Sequence, residues 1–128
     1  MFPRYFVIGA ILTALSIAFG AFGAHGLEDR VTEHYLAIFE TGVRYQMYSA
    51  LGLMLISLLV KQIGDSRLAS NGARLVLAGT IIFSGSLYAI TLSGISVLGA
   101  ITPIGGVAMI AGWLCVIIAA GRGASKTS

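Results

Sequence analysis

Charge is what this chain has least of. Lys and Arg total 8 and Asp and Glu 5 in 128 residues, so charged residues make up 10%, where soluble domains average about 25%. That scarcity excludes a water-soluble fold of this size, which would leave too much apolar surface uncovered. Cysteine occurs once, as Cys115. A lone cysteine forms no internal disulfide and no metal site, and inside an apolar segment it is expected to pack as a small hydrophobe. Also missing are a phosphate-binding loop, a nucleophile–base pair, paired catalytic carboxylates, and any acid within the apolar segments that would couple an ion gradient. The expectation is a chain that is not an enzyme and carries no cofactor or metal. The net charge of +3 comes from few, scattered basic residues without interleaved aromatics, so no nucleic-acid partner is expected; membrane lipids are.

Apolar sequence fills the space that charge leaves. The chain is 57% hydrophobic with a mean hydropathy of +0.93. Long apolar segments cover residues 5–24, 45–60, 73–92 and 101–121, with no Asp, Glu, Lys or Arg well inside any of them. A helix rises about 1.5 Å per residue and a bilayer's hydrocarbon is about 30 Å thick, so about 20 such residues cross it. The fold class predicted is all-α: a polytopic membrane protein with four transmembrane helices bundled into one domain over residues 1–128. The apolar run after Arg4 exceeds the ~7–15 residues of a cleaved leader, so the first segment is expected to stay as a span.

Arg4, Lys61, Arg67, Arg74, Arg122 and Lys126 fall on one side of a four-span layout. Only Arg30 and Arg44 fall on the other, diluted by Glu28, Asp29, Glu33 and Glu40. The positive-inside rule puts both termini in the cytoplasm. Residues 27–41 alternate apolar and charged positions at helical spacing, which predicts either an interfacial amphipathic helix between spans one and two or an ordered loop. Glu40 and Arg44 stand four apart in the order that favours a helical ion pair, and Gly42 offers a bend into span two.

Lipid tails are as apolar as leucine, so close backbone approach and interhelical hydrogen bonds must hold the helices together. Small residues spaced for that role are Ala10, Ala14 and Ala18 on one strip of span one, and Ser16, Gly20 and Ala24 on another. Gly85 and Ala89 in span three and Ala108 and Gly112 in span four repeat the spacing. Gly23, Gly105 and Gly106 complete the glycines expected to pack. Thr102 and Pro103 suit a first helical turn, with Thr102 as its cap. Trp113 lies too deep for an interface belt, so its N–H is expected to find a partner in the bundle.

Several clusters together resemble a known family. Gly20-Ala-Phe-Gly-Ala-His-Gly26 closes the first span, Tyr45-Gln46 opens the second, and Phe83-Ser-Gly-Ser-Leu-Tyr88 sits in the third. Thr102-Pro-Ile-Gly-Gly106, with Gly112-Trp113 behind it, forms the fourth. In that order they resemble the YgdD/YwdK-type family of small four-span membrane proteins. The resemblance covers nearly the whole chain and implies a bacterial inner-membrane protein with no assigned chemistry. Family members commonly carry a histidine after the Tyr-Gln pair, where this chain has Ser49; a role built on two intramembrane histidines is therefore not expected.

One candidate polar pocket is expected from His25, Glu40, Arg44, Gln46, Ser84 and Tyr88. His25 suits either a proton-relay or ligand role, or a cap at the helix C-terminus. Arg44 either snorkels to the interface or lines an anion-binding pocket with Glu40. Ser84, Ser86 and Tyr88 either line a cavity or bond across helices. The function expected is a non-enzymatic membrane component that binds lipid or a partner, a second copy or another membrane protein. The alternative is a small transporter or channel subunit.

Overall fold

The computed structural model describes the backbone of residues 2–64 and 66–127 and the side chains of residues 4–64 and 66–122; Lys126, counted in the charge asymmetry, lies outside the described side chains. Helix α1 (Phe2–Phe22) ends in a wide π-turn, Gly23–Leu27. Then come α2 (Glu33–Ile63), α3 (Arg67–Ser93), a 3-10 turn at Ser96–Ala100, and α4 (Thr102–Thr127). Among the described residues, four helices are long and apolar enough to cross a membrane.

Local chemistry sets the helix ends. The Thr32 hydroxyl accepts from the Tyr35 N–H at 3.3 Å and the Ser66 hydroxyl from the Ala69 N–H at 3.2 Å; both take up donors that a first turn leaves open. Gly64 and Gly94 close α2 and α3 at φ of 85° and 73°. Side chains rarely adopt that conformation, and the two glycine N–H groups reach back to the Val60 and Ile90 carbonyls.

The amphipathic stretch is helical from Glu33 on, but residues 33–41 are the first turns of α2 and not a separate element. The helix passes through Gly42 unbroken because Gly42 is packed beneath the Tyr88 ring, leaving no room for a bend. At 31 residues, α2 is about 46 Å long. It exceeds the hydrocarbon layer, so its charged turns stand at the interface.

The bundle is laid out in chain order: α1 packs on α2, α2 on α3 and α3 on α4, with a smaller α2–α4 contact. The α3–α4 seam is the closest. Buried positions recur at Ala69, Gly72, Val76 and Gly79 on α3, and at Gly105, Met109, Gly112, Val116 and Ala119 on α4. Steps of three and four are the heptad pattern of left-handed antiparallel packing. A Cβ on Gly79 would lie 2.6 Å from the Gly105 oxygen, and one on Gly112 2.7 Å from the Gly72 oxygen. Two glycine pairs, spaced one heptad apart on each helix, thus bring the backbones into contact. The apolar core of Leu53, Ile56, Val60, Ala73 and Val116 fills the half of the bundle near the α2–α3 connection. Most of the interhelical polar contacts lie in the other half.

Several positions differ from the expectation. Gly85 is exposed, and a Cβ there would meet nothing within 4 Å; it lies off the α3 seam that Gly72 and Gly79 occupy. Ala10, Ala14 and Ala18 face outward, while the inward stripe of α1 runs through Tyr5, Gly9, Ser16 and Gly23. Thr102 does not cap its helix; its hydroxyl bonds to that of Ser86 on α3.

Candidate functional site

A polar network links three helices in the half of the bundle away from the α2–α3 connection. Gln46, 4% exposed, donates from its amide to the Leu12 carbonyl of α1 at 2.9 Å. Its side-chain oxygen accepts from the Tyr88 hydroxyl of α3 at 2.6 Å. Ser84, one turn before Tyr88, donates to the Gly42 carbonyl at 2.7 Å, and Thr91 to the Tyr35 carbonyl at 3.1 Å. Those two acceptors are one heptad apart on α2 and the two donors one heptad apart on α3, so the bonds repeat along one seam. The Tyr88 ring also meets Phe39 and Phe19 at 5.1 and 5.4 Å.

Of the six candidate pocket residues, Gln46, Ser84 and Tyr88 come together here. His25, Glu40 and Arg44 are exposed. The reason is angular: two residues along a helix is a turn of about 200°, so Arg44 and Gln46 face opposite ways despite adjoining positions. No ion pair joins Glu40 to Arg44 among the described residues, nor does any group of three or more His, Cys, Asp or Glu side chains gather to hold a metal. Among the packing glycines, Gly23 lies tight against Phe39, while Gly20 and Gly106 have room for ordinary contact with Val43 and Phe83.

On the opposite side of α2, a groove of about 680 Å³ runs between α2 and α4 over α3 and opens laterally. Its walls include Tyr45, Tyr48, Phe83, Met109 and Trp113, and its lining is almost wholly apolar. The volume is within the 300–1,000 Å³ of ordinary small-molecule sites. Tyr45 meets Phe83 edge-on at 5.2 Å and Tyr48 at 5.6 Å. The outer edge of the Trp113 indole lies on Gly52, where a Cβ would collide with it. From Thr41 to Ser49 the groove follows α2 for about 12 Å.

Ser49 lies in this groove, 4% exposed. Its hydroxyl has no hydrogen-bond partner among the described residues. No fully buried side-chain N or O lacks one, so the Ser49 oxygen keeps an opening on the groove. The Trp113 N–H, expected to be partnered inside the bundle, has no partner among the described residues either. Reading the sequence for small residues four apart missed Gly9, Gly52, Gly72 and Gly79. Looking seven apart in neighbouring antiparallel spans would have found the pairs of Gly72 and Gly79 with Gly112 and Gly105.

A family profile described as a protein of unknown function (DUF423) matches residues 19–106. The chain is similar to the UPF0382 membrane protein YwdK of Bacillus subtilis, 44% identical over 116 residues covering 91% of this chain and 94% of that protein. The UPF0382 membrane protein SH2409 of Staphylococcus haemolyticus is 46% identical over 115 residues, 89% and 92% of the two chains. No solved structure matches.

Proposed function

The chain belongs to the UPF0382 (DUF423) family of membrane proteins of unknown function, and from that premise we propose that it is a non-enzymatic membrane component that holds a lipid in the lateral groove between α2 and α4. One observation supports this above the others: an apolar, uncharged groove of about 680 Å³ that opens sideways from the bundle. A soluble ligand would have to leave water to reach such a site, whereas a lipid needs only to diffuse in the plane. The proposed setting is a bacterial inner membrane with both termini cytoplasmic, on the charge asymmetry of Lys61, Arg67 and Arg74 against Arg30 and Arg44. A solute path built on His25, Arg44 and Gln46 has less support, because no described cavity is lined by all three.

Native mass spectrometry from mild detergent tests the reading. The expected spectrum shows the chain with a retained lipid, which is lost when Gly106→Leu fills the groove. A wild-type spectrum bare of lipid overturns the proposal. The same spectrum gives stoichiometry, and so tests whether the outward face of Ala10, Ala14 and Ala18 seats a second copy.

A further inference from the structure

The serine and threonine hydroxyls of residues 5–24, 45–60, 73–92 and 101–121 are hydrogen-bonded with one exception. Thr13, Ser16, Ser57, Thr80 and Thr91 each donate to the carbonyl four residues back. Ser84 donates across to Gly42, and Ser86 pairs with Thr102. Among these serine and threonine hydroxyls, only that of Ser49 is left without a bond to the described residues, and the Tyr45 and Tyr48 phenols on the same groove are unbonded too. The Ser49 oxygen is not sealed in by protein; it opens onto a groove that has room for a ligand, and in hydrocarbon a donor with no acceptor costs free energy.

Depth then narrows the ligand. Lys61 marks the interface end of α2. Gly52, nine residues before it, is about 14 Å away along the helix, close to the mid-plane of a hydrocarbon layer about 30 Å thick. Trp113 rests on Gly52, and Ser49 is only about 5 Å nearer the far surface. Phospholipid ester groups sit at the edge of the hydrocarbon, too far out to meet this hydroxyl. The acceptor must belong to a lipid whose polar atoms travel inside the membrane. No charged side chain lines the groove, so the acceptor is neutral. Tyr45, Tyr48, Phe83 and Trp113 supply aromatic walls, which favour a flat ring.

We propose that the Ser49 hydroxyl and these aromatic walls form a site for the head ring of a prenyl-quinone-type lipid, with a ring carbonyl accepting from Ser49. This rests on the groove being a lipid site and names the class of lipid. Binding alone is inferred.

The chain's single tryptophan lies in the groove, so its fluorescence reports occupancy. Full-length protein in nanodiscs is titrated with decyl-benzoquinone, with decylbenzene (a similar tail and a ring without carbonyls) as competitor. The expected result is saturable quenching that decylbenzene displaces poorly. Ser49→Ala weakens quinone binding about 3- to 10-fold, the range of one hydrogen bond, and brings the two compounds level. Because Ser49 bonds to nothing in the protein, its helical circular dichroism and melting stay as in wild type. If decylbenzene competes fully and Ser49→Ala changes nothing, the quinone assignment is overturned while the groove remains a lipid site. If wild type shows no saturable quenching and a bare mass spectrum, both are overturned. A dimer that protects Trp113 from the probe assigns the groove to a second copy and overturns the proposal as well.

Discussion

The Tyr88 hydroxyl donates to the Gln46 side-chain oxygen at 2.6 Å, while the amide end of the same glutamine holds the Leu12 carbonyl at 2.9 Å. One side chain on α2 therefore ties α1 and α3 to it, in a setting where apolar burial gives little association energy. Tyr88→Phe is expected to cost about 0.6 kcal/mol and Gln46→Leu about 1–2 kcal/mol, since the second change also leaves the tyrosine unpaired. Unfolding titrations of the two single variants and the double should show the double costing less than their sum. Strict additivity would mean the bond contributes nothing.

The glycines of α3 separate into two kinds. Gly79 faces the Gly105 carbonyl, whereas Gly85 faces open space. Gly79→Ala or Gly105→Ala must push the helices apart and is expected to destabilise the bundle by about 1–3 kcal/mol. Gly85→Ala should be neutral or slightly stabilising, because alanine loses less freedom in a helix. Thermal melts in one detergent compare the three directly.

Outward and inward ends are tested with cysteines in a Cys115→Ser background. The turns around Asp29 and Val97 share one end of the bundle and Arg67 the other. Asp29→Cys and Val97→Cys should react with a membrane-impermeant maleimide in intact cells, and Arg67→Cys only after permeabilisation. The reverse pattern would invert the orientation. Reaction of Asp29→Cys and Val97→Cys from opposite sides would break the four-span layout.

How much of this was legible depends on which physical signal each feature leaves. Apolar runs of about 20 residues show their solvent directly, so the spans needed no tertiary information. Caps such as Ser66 and stops such as Gly94 are equally local. The seam between α3 and α4 was legible in principle, since Gly72 and Gly79 on one span match Gly112 and Gly105 on the other; a four-residue spacing picked out Gly85 instead. The polar pocket was half visible. Gln46, Ser84 and Tyr88 share a seam, but His25, Glu40 and Arg44 were grouped with them by nearness along the chain, and the helical turn points them elsewhere. The unpartnered state of Ser49 could not be read at all. Every other serine and threonine hydroxyl within residues 5–24, 45–60, 73–92 and 101–121 is hydrogen-bonded, and which one is not is decided by packing around it.

The central claim is that a lipid occupies the groove between α2 and α4. Intermolecular nuclear Overhauser effects in deuterated detergent test it most directly, because copurified lipid then carries the only aliphatic protons outside the protein. The indole N–H of Trp113 should show cross-peaks to that lipid, stronger than those of Ile17 on the exposed face of α1, and Gly106→Leu should abolish them. Cross-peaks no stronger at Trp113 than at Ile17, or unchanged by Gly106→Leu, would contradict the account.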